Sequence, residues 1–180
     1  MRKTFLVWVC IIMLGVMVAF AGQEEKTQQE VVIKEDISFW YASMDFAGPL
    51  TKMRESIPKF MDEFFKQGLM PAGSFLGIYH NNPREVKPGE LKWAVGFIVT
   101  KGTEVKAPLK IAEFKYKFAA VYKHIGPYKF LSQAYDKILK HAEANGYKTL
   151  WPTYDKYLNN PQQVKPEELE TEIIVPLEKK

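Results

Sequence analysis

The segment YHNNPREVKPGEL at residues 79–91 returns as YLNNPQQVKPEEL at residues 157–169, and this pair decides the fold. Nine of the 13 positions are identical, always at an offset of 78 residues. The same offset links Gly48-Pro49 with Gly126-Pro127. A fixed offset without insertions is the signature of a repeated structural unit. The body of the chain is therefore predicted to contain two copies of one module.

Each copy is predicted to have a βαββ order. Apolar residues recur at three- and four-residue spacing from Leu50 to Phe64 and again from Tyr128 to Ala142, which indicates one buried helix face in each copy. Alternating apolar residues before each helix predict strands with one buried face. The predicted strands are 40–46, 75–80 and 93–99 in the first copy and 116–122, 153–158 and 171–177 in the second. The Asn-Asn-Pro and Val-Lys-Pro segments between them are predicted to be turns.

Three residues mark where the two helices begin or end. Gly68 and Gly146 follow the helix patterns, where a left-handed cap is expected. Pro58 lies inside the first pattern and is expected either to kink this helix or to mark its first turn after a short separate segment.

The predicted fold class is α+β, with tandem duplicated βαββ modules related by pseudo-twofold symmetry. The modules are about 36–100 and 110–178, and neither could bury both a sheet face and a helix stripe alone. Joined through the linker at 101–110, they are expected to form one domain over 36–180. Such a layout leaves a central ligand groove where the halves meet.

The N-terminal residues 1–21 are predicted to be a signal peptide. Arg2 and Lys3 precede an apolar run, and Ala19-Phe20-Ala21 matches an A-x-A cleavage site. Cleavage would give a secreted or periplasmic protein that begins at Gly22. The alternative is an uncleaved membrane anchor, because the apolar run is at the lower edge of spanning length, roughly 17 to 25 residues. Residues 22–35, rich in Glu, Gln and Lys, are predicted to be a polar tether.

Composition excludes several classes of function. The formal net charge is +4 for the 180-residue chain and +2 without residues 1–21, where 23 basic residues face 21 acidic ones, and this is too mild to indicate nucleic-acid binding. The only cysteine, Cys10, lies in the predicted signal peptide, so the mature form would have no thiol chemistry. The three histidines lack metal-ligand spacing, and no phosphate-binding loop or nucleophile elbow is present. The sequence predicts no metal, no cofactor and no nucleic-acid partner, and it leaves the oligomeric state open.

Several segments together resemble a known family. They are VYKHIGPYKFLSQAYDKILKHAEANGY at 121–147, YDKYLNNP at 154–161 and PEELETEIIVPL at 166–177, with AGPL at 47–50 and AGSFLGIYHNNP at 72–83 in the first half. In order and spacing they resemble the GyrI-like small-molecule-binding domains, the effector-binding domains of AraC-type and MerR-type multidrug regulators. The resemblance covers about 36–177. It implies paired βαββ modules around a groove that takes up amphipathic, often cationic, organic molecules.

The resemblance also points to one carboxylate. In the family an acidic residue, commonly Glu, stands two positions before the strand tyrosine of the second module and faces the groove. This chain has Asp155 before Tyr157, one methylene shorter than Glu. The equivalent position in the first half is Gly77, so a ligand would meet one charge rather than two.

A carboxylate beside aromatic rings can recognise a cation through charge and cation-π attraction, worth roughly 0.5 to 2 kcal/mol per ring. The candidate ligand-binding residues are Asp155, Tyr157, Trp40, Trp93, Tyr116, Phe118, Trp151 and Tyr79. Strand aromatics at period two also fill cores, so about half of these rings are expected to line a cavity.

Three functions follow from these residues and the resemblance. The first is an extracytoplasmic protein that senses or sequesters amphipathic organic compounds, cations among them, in an aromatic groove with one carboxylate. No helix-turn-helix precedes the domain, which argues against direct gene regulation. The second is a hydrolase of reactive cyclopropanoid-type molecules, with Asp155 and Tyr157 as catalytic candidates. The third is a module that binds a peptide or protein partner in the envelope.

Overall fold

The structure, a computed structural model, describes residues 30–180. The predicted signal peptide and the tether up to residue 29 lie outside the described residues. The strands are β1 Val32–Ala47, β2 Phe75–Tyr79, β3 Lys92–Val99, β4 Lys110–Ile125, β5 Tyr147–Thr149, β6 Thr153–Tyr157 and β7 Glu170–Lys179. The helices are α1 Met53–Lys66 and α2 Leu131–Ala144.

The two halves of the structure repeat the spacing of the sequence. Adding 78 to the bounds of β1, α1 and β2 gives the bounds of β4, α2 and β6. A 3-10 turn precedes each helix, and Gly68 and Gly146 adopt the left-handed φ values of 72° and 76° that were expected of the caps. Pro58 lies within α1 rather than in its first turn, so that alternative is wrong.

The strands form one antiparallel sheet that closes on itself. Their order is β4-β1-β3-β2-β6-β7-β5, and β4 also pairs with β7. Six strands therefore make a ring, with β5 added beside β7. The α+β fold class is confirmed.

The sheet has two buried faces because the ring is filled inside and covered outside. The inner face holds a cluster that includes Tyr41, Leu76 and Tyr154. On the outer face, α1 packs over β1 and β3, while α2 packs over β4 and β7. Alternation along each strand thus divides its residues between the ring interior and the helices.

Two predictions about extent need correction. Strand β1 begins at Val32, inside the predicted tether at 22–35, and both β1 and β4 are much longer than the alternating runs at 40–46 and 116–122. These two strands pair with each other along most of their length, and this pairing extends both of them past the alternating runs. Strand β5 was not predicted.

Candidate ligand-binding cavity

The centre of the site is the antiparallel pairing of β2 with β6. Gly77 lies directly opposite Asp155 in this pairing, and the two positions are also separated by the internal offset of 78. A residue that faces its own equivalent marks the pseudo-twofold axis, so the axis passes between Gly77 and Asp155.

Only one side chain fits at this point of the axis. A Cβ added to Gly77 would lie 3.1 Å from the hydroxyl oxygen of Tyr157 and 3.2 Å from that of Tyr79. Those distances are tighter than ordinary contacts, and a longer side chain would need the space that both hydroxyls occupy. Glycine on one strand therefore makes room for a single carboxylate from the other.

A cavity of about 390 Å³ lies beside this carboxylate, between β6, α2 and the 3-10 turns that precede the two helices. A volume of this size suits a small organic molecule. Its walls are mostly apolar and aromatic, and its lining residues are Leu50, Met53, Tyr79, Asn82, Pro83, Arg84, Tyr128, Leu131, Ser132, Tyr135, Leu139, Thr149, Leu150, Trp151, Thr153, Asp155, Tyr157 and Val175.

The cavity is not symmetric, and the reason lies in side-chain volume. In the first half, α1 packs on the sheet through a cluster of phenylalanines: Phe60, Phe64, Phe75 and Phe97. At the equivalent positions, the second half carries Ile138, Ala142, Thr153 and Val175. Thr153 and Val175 line the cavity, so they leave open on the α2 side the space that Phe75 and Phe97 fill on the α1 side. Within residues 30–180, the scaffold thus has this cavity beside α2 and packed phenylalanines at the equivalent place beside α1.

Asp155 is the buried charge of this cavity. Asp155 is only 1% exposed, and the hydroxyl of Tyr135 donates a hydrogen bond of 2.8 Å to Oδ1 of Asp155. Burial, which disfavours the ionised form, raises the pKa of Asp155 to about 6, although hydrogen bonds from Tyr135 and Tyr79 oppose the rise. No Lys, Arg or His within residues 30–180 forms a salt bridge with Asp155.

Three tyrosines surround the carboxylate. Burial raises the pKa of Tyr79, Tyr135 and Tyr157 well above the ordinary value, with the charge of Asp155 contributing to each rise. Their hydroxyls consequently stay protonated at neutral pH and act as neutral donors. The ring of Tyr128 lies 5.4 Å from that of Tyr157 at an interplanar angle of 77°, which adds a partly exposed aromatic wall.

One ion pair borders the cavity. Arg84, in the turn after β2, places Nη1 2.6 Å from Oδ1 of Asp136 on α2. The pair joins the two halves, and both side chains are about half exposed. Their contact raises the pKa of Arg84 and lowers that of Asp136.

The structure brings four of the eight predicted site residues together. Asp155, Tyr157, Tyr79 and Trp151 all line the cavity. The first three come from the paired strands β2 and β6, while Trp151 lies in the loop before β6.

The other four predicted residues, Trp40, Trp93, Tyr116 and Phe118, lie away from the cavity in the packed core. Trp40 and Trp93 pack in the cluster beneath α1, where the indole N–H of Trp93 donates to the carbonyl of Gly48 at 3.3 Å. Tyr116 packs inside the ring. Phe118 lies on β4 opposite Leu177 of β7 and is buried in the cluster beneath α2. Period-two alternation identified their burial but could not tell core from cavity.

Tyr135 and Arg84 are the main site residues that the sequence analysis missed. Tyr135 was assigned only to the helix stripe, yet its first-half equivalent is Ile57, so its hydroxyl was a visible departure from the repeat. Arg84 lies in a segment that was interpreted only as a turn, and its equivalent is Gln162. Comparing the two copies for polar differences would have found both.

Residues 30–180 contain neither a metal-ligand cluster nor a membrane-spanning helix. No cluster of three or more His, Cys, Asp or Glu side chains there could hold a metal ion. Nor does that part of the chain contain a helix long and apolar enough to cross a membrane.

Comparison with solved structures finds the same fold in several proteins. An uncharacterised conserved protein from Listeria innocua is 10% identical at a TM-score of 0.66, covering 83% of this chain and 92% of that one. The EcmrR C-terminal domain is 20% identical at a TM-score of 0.68, covering 85% and 99%. SAV2435, solved bound to tetraphenylphosphonium, is 13% identical at a TM-score of 0.54, covering 83% and 94%.

Sequence comparison gives the family. The search of curated protein sequences found no match. The family model of the GyrI-like small molecule binding domain, however, matches residues 29–178, which is most of the chain. The chain therefore belongs to the GyrI-like small-molecule-binding domain family.

Proposed function

We propose that this protein binds amphipathic organic cations in the cavity beside α2, with the carboxylate of Asp155 as the counter-charge. The observation that carries the proposal is a buried, ionisable carboxyl in an apolar aromatic cavity with no cationic partner in residues 30–180. Burying an unpaired charge is unfavourable, and a ligand cation would supply the missing partner.

The walls suit the apolar part of such a ligand. Tyr79, Tyr128 and Tyr157 present rings, and Trp151 adds an indole. Aromatic faces attract cations, and they do so more strongly where water is excluded. The hydroxyls of Tyr135 and Tyr79 hydrogen-bond to the carboxylate as neutral donors, so they hold it in place without neutralising its charge.

Binding of tetraphenylphosphonium is a suitable test, since one protein with this fold was solved with that ligand. Tetraphenylborate is the matched probe, because it has nearly the same shape and the opposite charge. We expect calorimetric titration to detect the cation and not the anion. Equal binding of both ions would contradict charge recognition.

Two variants make this test specific. Asp155→Asn removes the charge while preserving the shape, and it should lose most of the affinity for the cation. Asp62→Asn makes the same change on the exposed surface of α1 and should bind as the parent protein does. Undiminished cation binding by Asp155→Asn would remove this residue from the site.

A second function, hydrolysis of an electrophilic small molecule, is favoured by one observation. The pKa of Asp155, raised to about 6, suits a general base near neutral pH, and the Tyr135 hydroxyl 2.8 Å away is a neutral proton donor. Mass spectrometry of bound ligands after incubation distinguishes the two functions. Conversion that depends on both residues would favour hydrolysis, whereas unchanged ligand would favour binding alone.

The proposed location is outside the cytoplasm, and its support is the pattern of residues 1–21. N-terminal sequencing of protein from the producing cells tests this location. A mature chain that begins at Gly22 would agree with a cleaved signal peptide. Recovery of chains with intact Met1 from the membrane fraction would instead favour an anchor.

A further inference from the structure

The border of the cavity carries a second charged group whose hydrogen-bonding capacity is largely unused. Arg84 lines the cavity, and its Nη1 donates to Asp136 Oδ1 at 2.6 Å. Within residues 30–180 its other guanidinium N–H groups have no acceptor. A guanidinium presents several donors in a planar fork that matches a carboxylate or another bidentate acceptor.

This ion pair occurs only where the cavity is. The position equivalent to Arg84 is Gln162, and the position equivalent to Asp136 is Pro58. The phenylalanine-filled half of the domain can therefore form no such pair. The open space beside α2 and the ion pair at its border therefore occur together, and neither has a counterpart beside α1.

The backbone around Arg84 is set by the repeat and not by its side chain. The Arg84 N–H donates to Oδ1 of Asn82 at 3.0 Å, and the Gln162 N–H donates to Oδ1 of Asn160 at 2.9 Å. Both copies thus build the same turn with different side chains. The guanidinium is an addition to a turn that forms without it.

Asp136 has a distinct role in this arrangement. A free arginine at the mouth would repel an approaching cation, and the adjacent carboxylate cancels that charge. The pair also holds the guanidinium beside the cavity that Asp155 lines.

We propose that Arg84 is a specificity-determining residue, and that the preferred ligand is an organic cation that also carries a carboxylate or similar acceptor. Its cationic centre lies near Asp155 and its acceptor accepts hydrogen bonds from Arg84. This inference rests on the proposed function, since it adds a second recognition point to the same cavity. It narrows the ligand class from lipophilic cations to zwitterions and acceptor-bearing cations.

The test uses two matched series of probes. One is a set of alkyl triphenylphosphonium cations of increasing chain length. The other is the corresponding ω-carboxyalkyl triphenylphosphonium zwitterions, which differ by a terminal carboxylate. At one linker length we expect the parent protein to bind the zwitterion at least about threefold more tightly than the alkyl cation of the same length. A gain of this size is what a partly exposed charge pair allows.

Variants assign the gain to the arginine. Arg84→Gln installs the residue that the repeat carries at the equivalent position, and it should abolish the difference in affinity between each zwitterion and the alkyl cation of the same length. Arg54→Gln, an exposed arginine on α1, should keep the preference.

The outcomes separate this inference from the function on which it rests. If alkyl cations bind but no zwitterion binds more tightly than the alkyl cation of the same length, the role of Arg84 is overturned and the proposed function stands. A gain that persists in Arg84→Gln overturns it as well. If neither series binds, both proposals fail.

Discussion

The charge of Asp155 should make the ligand-free protein less stable at neutral pH than at acidic pH. The pKa of this carboxyl in the folded chain is about 6, against 3.8 when it is unperturbed. Between these values the folded state binds more protons than the unfolded state. The contribution of Asp155 to the free energy of unfolding is therefore largest below pH 3.8 and is lost as the pH rises through about 6.

The magnitude follows from the size of the shift. A rise of about two pKa units corresponds to about 3 kcal/mol, since each unit is about 1.4 kcal/mol. The residue is fully buried, so solvent screening does not reduce this figure. For a domain of this length, 3 kcal/mol corresponds to a change in melting temperature of about 6 to 12 °C.

Urea denaturation of the parent protein and of Asp155→Asn, measured from pH 4 to pH 8, isolates this contribution. The difference in the free energy of unfolding between the two proteins should grow by about 2.5 kcal/mol in favour of the variant between pH 4 and pH 8, mostly below pH 6. Asp62→Asn, whose side chain is exposed, should give a difference that changes little with pH. If the difference for Asp155→Asn does not change with pH, or grows in favour of the parent protein, the pKa of Asp155 is not raised in the folded state.

Three further predictions concern the same site. Protonation of Asp155 should weaken tetraphenylphosphonium binding about tenfold between pH 7 and pH 5, and equal affinities at both pH values would count against its role. Gly77→Ala places a Cβ 3.1 and 3.2 Å from two tyrosine hydroxyls and should lower both stability, by about 1 kcal/mol, and cation affinity. Gly89→Ala, where the added Cβ meets nothing within 4 Å, is its control, and matching effects of the two substitutions would contradict this geometry. Tyr135→Phe removes the 2.8 Å hydrogen bond that favours the carboxylate, so the pH midpoint of cation binding should move upward, and a downward shift would be inconsistent with that bond.

The fold could be predicted because the repeat supplied the same information twice. Each helix stripe and each turn was recorded in two copies at an offset of 78, and the element bounds follow that offset. Closure of the sheet into a ring was not predictable in this way. It depends on β4 pairing with both β1 and β7, and no local pattern encodes the partner of a strand.

The site was only partly predictable, and the reason is physical. Asp155 and Tyr157 were identified through their place in a family motif, and Gly77 through its departure from the repeat. The cavity itself arises from what is missing: Thr153 and its neighbours replace phenylalanines of the first half, and empty volume has no sequence pattern of its own. Trp93 illustrates the converse, since a large aromatic on an alternating strand is equally suited to a packed core.

The role of Asp155 as the counter-charge is tested most directly by counting the protons released when a cation binds. At pH 6 about half of the Asp155 side chains are protonated, so binding of tetraphenylphosphonium to the carboxylate should release about half a proton per site. Calorimetric titration in buffers of different ionisation enthalpy measures this number. We expect proton release by the parent protein and none by an Asp155→Asn protein that still binds any ligand. Binding without proton release, or equal release by both proteins, would contradict the assignment of Asp155 as the counter-charge.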